Sequence, residues 1–201
     1  MTPPRQFRNL SLIGFMGTGK SSVGRVVAGL LGFEFLDTDQ EIEGLSGKSV
    51  SAIFEQHGEP TFREWERQIC GMLEEKSGVV IATGGGLPIQ EQNLESLKRH
   101  SLVICLWATP STILERVGGH VHRPLLMDAN RDEKIRTLLS QRESHYRKAD
   151  VLVNTEMRSM TEVAQQVLHQ FQAVRKLPPA DAPDSTSAPT SGHPIPDRIQ
   201  K

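Results

Sequence analysis

The chain has 201 residues, with 23 Lys and Arg against 24 Asp and Glu, and a formal net charge of -1. This length suffices for one well-buried domain and is too short for two full-sized ones, and the balanced charge gives no reason to expect a nucleic-acid or acidic-membrane partner. No apolar run reaches the roughly 18 residues of a membrane span, and the N-terminus lacks a signal-peptide core. The two cysteines, Cys70 in a helical pattern and Cys105 in an apolar run, are predicted to be small core residues. Together these features predict a soluble cytoplasmic protein.

An apolar run over residues 10–13 leads into the segment 14–21, which reads Gly-Phe-Met-Gly-Thr-Gly-Lys-Ser, and a helical pattern follows. A strand, a glycine loop and a helix in this order predict a P-loop, in which backbone N–H groups and the helix N-terminus bind phosphates. Lys20 would place its charge between the two outer phosphates, and the Ser21 hydroxyl would ligate the accompanying Mg²⁺. The segment therefore predicts a nucleotide-binding protein.

The helix after this loop is predicted to end at Gly32, and a short strand over residues 33–36 is followed by Asp37 and Asp39. In a parallel α/β sheet the carboxyl ends of the strands meet at one edge, where the P-loop must also lie. One carboxylate there could hold Mg²⁺ through a water, and the other could accept the proton of an attacking hydroxyl. The alternative is a solvated turn in which Asp39 caps the next helix; the upstream P-loop favours the functional interpretation.

Residues 44–57 predict a short helix, a turn, and a second helix that begins at Ser49. Apolar residues three or four apart then predict the core face of a helix, namely Phe62, Trp65, Ile69, Met72 and Leu73. Arg63 lies off this stripe near the helix start, where a cation is poorly placed for the helix dipole. Its position suggests a role other than helix stability, and the alternative is an exposed arginine paired with a neighbour such as Glu66.

A strand buried on both faces is predicted over residues 79–82, and it leads into Thr83 and three consecutive glycines. These glycines would expose bare backbone N–H groups; the alternative is a flexible turn. Many P-loop proteins carry an aspartate for Mg²⁺ at the end of this strand, and this sequence has none there. Asp37 is therefore the expected magnesium residue.

A helix is predicted over residues 87–99, a strand over 102–107, and a helix that begins near Pro110 and ends at two glycines. The segment 118–128 contains Arg123 and predicts a lid that closes over the nucleotide, excludes water and brings positive charge to the moving phosphoryl group. His120 and His122 in this segment lack the partners of a metal site and are predicted to be solvated.

The rest of the chain predicts a charged helix over residues 131–148, a strand over 151–153, and a closing helix with the stripe Met160, Val163, Val167, Phe171 and Val174. The composition changes at residue 177, and half of the 12 prolines lie between Pro178 and Pro196. The sequence therefore predicts a domain over residues 1–176 and a disordered tail over 177–201.

Over roughly residues 8–175 the chain resembles the shikimate kinases. Six features carry this resemblance together: the segments 14–21, 37–39, 62–66, 83–86 and 123–126, and Arg142 with Tyr146. The resemblance implies a three-layer α/β P-loop kinase fold, in which helices flank a five-stranded parallel sheet of order 2-3-1-4-5 and a mobile lid covers the site. It also implies phosphorylation of the 3-hydroxyl of shikimate by ATP with Mg²⁺, in aromatic amino acid biosynthesis. We further expect a monomer.

The family's site residues fall on matching positions of this sequence. The implied substrate-binding residues are Asp39, Arg63, Gly85, Gly86 and Arg142, and the implied catalytic residues are Asp39, Lys20 and Arg123. The implied ATP-binding residues are Gly17, Thr18, Gly19, Lys20, Ser21, Ser22, Arg116, which stacks on the adenine, and Arg123, while Ser21 and Asp37 serve Mg²⁺. Two arginines suit the carboxylate of shikimate. One departure is the segment 155–160, which lacks the proline that many relatives place in the adenine-contacting loop.

Two other functions fit parts of the pattern. A P-loop kinase of another hydroxylated acid, such as gluconate, would share the phosphate site, but the pair of Arg63 and Arg142 beside three glycines argues against it. A nucleotide-dependent switch without catalysis would not require the acceptor-site acid Asp39, and the chain has no Asn-Lys-x-Asp guanine-binding motif.

Overall fold

The computed structural model describes residues 5, 7–117 and 131–176. In chain order the elements are β1 (Asn9–Ile13), α1 (Lys20–Leu31), β2 (Glu34–Asp37), α2 (Thr38–Ser46), α3 (Val50–Leu73), β3 (Val79–Ala82), α4 (Glu91–His100), β4 (Ser101–Trp107), α5 (Pro110–Val117), α6 (Arg131–Tyr146), β5 (Val151–Asn154) and α7 (Met160–Lys176), with a short 3₁₀ helix at Leu87–Ile89. None of the helices in this described part of the chain combines the length and hydropathy that a membrane span needs. The cytoplasmic location stays a prediction.

The five strands form one parallel sheet in the order β2-β3-β1-β4-β5. This confirms the predicted fold class, including the strand order that the family resemblance implied. Parallel neighbours require crossover connections, and helices supply them here. Because all the strands run the same way, the loop after β1, the start of α2 after β2 and the glycines after β3 meet at one edge of the sheet.

Side chains alternate between the two faces of the sheet, so strands β1 to β4 each contribute to two cores, and β5 contributes to one of them. On one face, buried residues of α1 and α7 pack on the strands, including Val23, Val27 and Phe171. On the other face, α3, α4, α5 and α6 contribute a second core. The result is three layers, with Cys70 and Cys105 buried as free thiols in the second core, as the sequence predicts.

The predicted helix 87–99 is wrong in its first turn. Residues Leu87–Ile89 form a 3₁₀ helix, Gln90 is extended (φ -75°, ψ 111°), and α4 begins only at Glu91. Pro88 lies within this first turn and has no N–H to donate, which favours a short turn over a continuous α-helix. The turn is closed by two backbone bonds, from Leu87 N to Gly84 O (3.2 Å) and from Ile89 N to Gly86 O (3.1 Å).

Helix α3 also differs from its prediction. Its N-cap is Ser49, as expected, but Gly58 (φ 78°, ψ 172°) interrupts the helical backbone, so a new helical segment starts close to Pro60. Met72, predicted to face the core, is 54% exposed. The buried face instead consists of Phe62, Glu66, Ile69, Cys70 and Leu73. In α7, Met160 is likewise exposed, although the other members of the predicted stripe face inward.

Candidate active site

The loop between β1 and α1 has the backbone of a phosphate-binding loop. Gly14, Gly17 and Gly19 have φ values of 135°, 77° and 90°, which residues with a side chain rarely adopt. Added side-chain atoms would also collide, at Gly14 with the carbonyl of Leu106 and at Gly17 with the side chain of Val117. Helix α1 starts at Lys20, and no side chain caps its first turn. Its N-terminal amide groups therefore face the loop, where an anion can bind them.

Lys20 lies folded over this loop. Its ammonium group donates hydrogen bonds to the carbonyl oxygens of Gly14 and Phe15, at 2.9 Å each. The Thr18 hydroxyl donates to the same Phe15 carbonyl (2.8 Å), so the donor that Thr18 can offer to an anion is its backbone N–H. The loop opens into a cleft of about 310 Å³ lined by twelve residues, among them Gly17, Gly19, Lys20, Ser21, Ser22, Asp37, Asp39, Gly85 and Arg116.

Asp37 connects the phosphate loop to α2. Its Oδ2 accepts a hydrogen bond from the Ser21 hydroxyl at 2.6 Å, and its Oδ1 accepts from the Asp39 N–H at 3.1 Å. Asp37 is therefore the N-cap of α2, and the alternative in which Asp39 caps this helix is wrong. A hydroxyl and a carboxylate this close to the phosphate loop are hard oxygen donors of the kind that Mg²⁺ prefers.

The remaining magnesium ligands would have to come from elsewhere. Within residues 5, 7–117 and 131–176, no group of three or more His, Cys, Asp or Glu side chains could hold a metal ion. Mg²⁺ in phosphoryl-transfer sites is commonly bound by one or two protein groups together with waters and substrate phosphates. Ser21 and Asp37 fit that sparse donor set.

The glycines after β3 pack directly against α2 and α3. The Gly84 N–H donates to the Thr38 hydroxyl (2.9 Å), so it is not exposed to a ligand, and the prediction of three exposed amides is wrong at this position. A side-chain carbon at Gly84 would collide with the carboxylate of Asp39, and one at Gly86 would collide with the guanidinium of Arg63. The segment 84–86, called the glycine loop below, therefore fits closely around Asp39 and Arg63.

Arg63 is paired with two acids. Its Nε and Nη2 donate to Oε1 of Glu59 at 3.0 and 2.6 Å, and its Nη1 donates to Oε2 of Glu66 at 2.7 Å. The alternative of an arginine paired with Glu66 is thus correct as to the partner, but the pair lies beside the glycine loop and not on an isolated surface. The Arg63 side chain is 19% exposed.

Glu66 is a component of the site to which sequence reasoning gave no role. Its side chain is 1% exposed, and burial raises the pKa of Glu66 to about 7 against the opposing effect of the Arg63 guanidinium, while the charge of Asp39 raises it further. Its Oε1 has no hydrogen-bond partner in the described part of the chain. The available signal was an acid that shares the helical spacing of Phe62 and Ile69, three residues after an arginine.

Helix α6 adds Arg142 and Tyr146 to the same region. The Arg142 guanidinium lies 5.8 Å from the ring centre of Phe15 in the phosphate loop. The Tyr146 hydroxyl donates to the carbonyl of Gly85 at 2.7 Å, and burial raises the pKa of Tyr146 to about 12, so this hydroxyl stays a donor. Tyr146 thereby fixes the glycine loop, a role that its place in the family resemblance did not specify.

Arg116 lies on the opposite side of the phosphate loop and lines the same cleft. Its guanidinium donates to the hydroxyl and the carbonyl of Thr155, at 2.8 and 2.7 Å. The next residue, Glu156, accepts hydrogen bonds from Thr109 N (2.8 Å) and from the hydroxyls of Thr109 and Thr112. These bonds lower the pKa of Glu156 to about 2. The loop after β5 is therefore anchored to α5 next to Arg116.

Some predictions cannot be placed. Arg123, His120, His122 and the predicted lid lie outside the described residues, as does the predicted tail 177–201. Another cavity, of about 370 Å³, lies between α6 and the ends of β4 and β5, but it is lined mainly by other residues, such as Trp107, Leu139 and Leu152. The polar cleft at the phosphate loop contains most of the predicted nucleotide and magnesium residues together with Asp39 and Gly85, whereas Arg63, Gly86 and Arg142 are not part of its lining.

A parallel sheet with a phosphate loop after β1, two acids where β2 meets α2 and Arg63 beside the glycines after β3 is the arrangement of a P-loop kinase. The family model of shikimate kinase matches residues 16–172 of this chain. The chain belongs to the shikimate kinase family and is therefore an ATP-using kinase.

Named relatives agree with this assignment. A shikimate kinase of Thermodesulfovibrio yellowstonii is 41% identical over 82% of this chain and 95% of its own length. One from Geobacter sulfurreducens is 41% identical over 83% of this chain and 92% of its own. Among solved structures, a shikimate kinase from Acinetobacter baumannii in complex with shikimate is 37% identical, covers 85% of this chain and 96% of its own, and has a TM-score of 0.80.

A gluconokinase from Sinorhizobium meliloti shows how far the fold extends. It is 18% identical, covers 85% of this chain and 95% of its own, and has a TM-score of 0.55. Similarity at this level reflects the shared fold alone. It gives no support to gluconate as the acceptor for this chain.

Proposed function

We propose that this protein transfers the γ-phosphoryl group of ATP to the 3-hydroxyl of shikimate, in aromatic amino acid biosynthesis. The observation that carries the proposal is the group formed by Asp39, Arg63 and the glycine loop beside the phosphate loop. It offers a base and a cationic group next to the place where a γ-phosphate would lie. The relative from Acinetobacter baumannii, described as a complex with shikimate, supports this choice of acceptor.

In this proposal the phosphate loop binds ATP through backbone groups and charge. Gly17, Thr18 and Gly19 donate N–H groups, as does the first turn of α1 with Ser21 and Ser22. Lys20 leaves its two carbonyl partners and binds the outer phosphates, because an anionic oxygen is a stronger acceptor than a neutral carbonyl. Arg116, held by Thr155, offers its guanidinium plane to the adenine.

Ser21 and Asp37 would hold Mg²⁺, Ser21 directly and Asp37 through a coordinated water. When bound, the ion neutralises charge that develops on the phosphate oxygens. The hydrogen bond between the Ser21 hydroxyl and Asp37 already brings the two oxygens within 2.6 Å. Little rearrangement would therefore be needed at these two side chains.

On the acceptor side, Arg63 and Arg142 would bind the carboxylate of shikimate with charge-assisted hydrogen bonds, and the backbone of Gly85 and Gly86 would fix the ring. Asp39 would orient the 3-hydroxyl and accept its proton as the phosphoryl group transfers. The lid with Arg123 would exclude water and stabilise the charge on the phosphoryl group. We further propose a cytoplasmic monomer, with no nucleic-acid or membrane partner.

The proposal is tested by ADP release from the purified protein with ATP, Mg²⁺ and either shikimate or gluconate, and by two variants that separate the acids. Asp39→Asn should lose roughly a hundred- to ten-thousand-fold in kcat at every Mg²⁺ concentration, because a general base is removed. Asp37→Asn should lose activity that rising Mg²⁺ partly restores, since an amide can still hydrogen-bond a coordinated water.

Release of ADP with gluconate but not with shikimate would refute the proposed acceptor. Rescue of Asp39→Asn by Mg²⁺, or an equal response of both variants, would refute the assigned roles while leaving the reaction intact. ATP binding should persist in Asp39→Asn, and shikimate binding should weaken in this variant alone.

A further inference from the structure

In the structure, one edge of the Arg63 guanidinium is already occupied by a carboxylate of the protein. A guanidinium has five N–H donors in a planar fork. The Nε and Nη2 donors both bind Oε1 of Glu59, and Nη1 binds Oε2 of Glu66. The end of the fork faces the Cα of Gly86, where an added side-chain carbon would overlap Nη1 and Nη2. The edge formed by Nε and Nη2, which suits a carboxylate, is therefore held by Glu59.

The two acids that pair with Arg63 differ in how easily each can break its ion pair. Glu66 is 1% exposed, so its carboxylate has no route to water without a large rearrangement. Glu59 is 63% exposed, and it follows Gly58, where the helical backbone of α3 is interrupted. The carboxylate of Glu59 can rotate into solvent, where water hydrates it. Glu66 is thus a permanent partner of Arg63, and Glu59 is an exchangeable one.

We propose that Glu59 is an internal stand-in for the substrate carboxylate: it occupies Arg63 in the unliganded protein and is displaced when the acceptor binds. This inference rests on the proposed function, in which Arg63 binds the carboxylate of shikimate. It adds a residue that sets substrate affinity without touching the reacting atoms.

Displacement has a definite kinetic consequence. A ligand that must first break an internal pair binds more weakly. Its apparent dissociation constant equals the intrinsic constant divided by the fraction of molecules in which the site is available. Because Glu59 is well exposed, its pair with Arg63 should be weak, and the penalty on shikimate affinity should be about two- to fivefold. Because Glu59 has already left Arg63 in the bound complex, it changes binding and not the chemical step.

The test compares Glu59→Gln with Glu64→Gln, measuring the shikimate dissociation constant by titration and KM and kcat by turnover. Glu64 is a matched control, because it lies on the same helix and pairs with Arg67 instead of Arg63. For Glu59→Gln we expect the dissociation constant and KM for shikimate to fall about two- to fivefold with kcat unchanged. For Glu64→Gln we expect no change in any of the three.

A raised dissociation constant in Glu59→Gln would overturn the proposal, since Glu59 would then orient Arg63 for the substrate. An unchanged constant would overturn it as well, since the pair would then be without effect on binding. The methyl ester of shikimate, which lacks the negative charge, should gain no affinity in Glu59→Gln. An equal gain for the ester would also refute the stand-in.

Failure of the proposed function gives a different result. A wild-type protein that neither binds nor phosphorylates shikimate would refute the acceptor assignment. The displacement of Glu59 is then tested with benzoate, a simple carboxylate, and its binding to both variants is measured by NMR titration. Tighter benzoate binding in Glu59→Gln than in Glu64→Gln would uphold displacement at Arg63, and equal binding would overturn it.

Discussion

Single atoms decide how the glycine loop after β3 fits its neighbours. Gly84 leaves room for the Asp39 carboxylate, and Gly86 leaves room for the Arg63 guanidinium. Neither glycine has a positive φ, so alanine is allowed by the backbone at both positions. Any effect of alanine there comes from displacement of the facing side chain and not from backbone strain.

We therefore predict different kinetic defects for two substitutions that are only two residues apart. Gly84→Ala should lower kcat by at least tenfold, because it moves the proposed base Asp39 from the acceptor hydroxyl. Gly86→Ala should chiefly raise KM for shikimate, because it moves Arg63 from the carboxylate. Steady-state kinetics over a range of shikimate concentrations measure both parameters.

Gly44→Ala in α2 is the control for this pair, since an added carbon there meets nothing within 4 Å. It should leave both kinetic parameters unchanged. If Gly84→Ala and Gly86→Ala produced the same pattern, the loop would act as a unit, and the separate assignment of Asp39 and Arg63 would be wrong.

At the scale of elements, β1 and β3 are joined to the end of α4 through Asn9. Its amide nitrogen donates to Lys76 O (2.8 Å), and its Oδ1 accepts from Val79 N (3.0 Å), which fixes the orientation of the amide. The same nitrogen lies 3.0 Å from Nδ1 of His100, so this ring nitrogen must be the acceptor. His100 is therefore neutral in this arrangement, with its proton on Nε2.

His100 makes the stability of this junction dependent on pH. Its side chain is 1% exposed, and burial lowers the pKa of His100 from 6.5 to about 4. Between these two values the unfolded chain binds a proton that the folded chain does not. The free energy of unfolding should therefore fall as the pH drops from about 6.5 to about 4, by up to about 3 kcal/mol.

Urea unfolding from pH 4 to pH 7 measures this prediction. His100→Gln, which cannot titrate, should flatten the pH dependence across this window even if it lowers stability throughout. The exposed His169→Gln should keep the wild-type slope. An unchanged slope in His100→Gln would show that other groups cause the acid sensitivity.

Elements with strong local signals were predictable, and their tertiary partners were not. The turn at Gly32 and the strands near Asp37 and before Gly84 follow from glycine conformations and apolar runs. The structure confirms all three, with β2 shifted by one residue so that it ends at Asp37. The buried face of α3 was predicted wrongly because a search for apolar residues at helical spacing does not consider a buried acid. Glu66 is buried because Arg63 neutralises part of its charge, and that pairing depends on side-chain geometry that sequence periodicity does not contain.

In the site, too, residues within local motifs were predictable and their tertiary contacts were not. Ser21 and Asp37 were predicted from motif and strand order, and the structure brings them together. Three hydrogen-bonded contacts were not predicted: Glu59 with Arg63, Tyr146 with Gly85, and Glu156 with Thr109 at the start of α5. They depend on how the elements pack together, which the sequence pattern does not show.

At the scale of the whole molecule, α7 closes one face of the sheet. Phe171 is fully buried and meets Phe33 edge to face, with ring centres 5.8 Å apart. The Arg175 guanidinium lies 5.9 and 5.5 Å from the centres of these two rings. The described chain thus makes its last aromatic contacts just before Lys176, where the predicted domain ends.

We propose that residues 177–201 are dispensable, since their composition offers little apolar surface to dock on the domain. A chain that ends after Lys176 should keep the melting temperature and the turnover of the full chain. A chain that ends after Gln170 should be destabilised by at least about 3–5 kcal/mol, the usual cost of losing a buried phenylalanine, because it lacks Phe171. Thermal melting and ADP release on the three proteins compare them directly. If removal of 177–201 alone lowered the melting temperature nearly as far as the shorter truncation, the tail would pack on the domain and the boundary at residue 176 would be wrong.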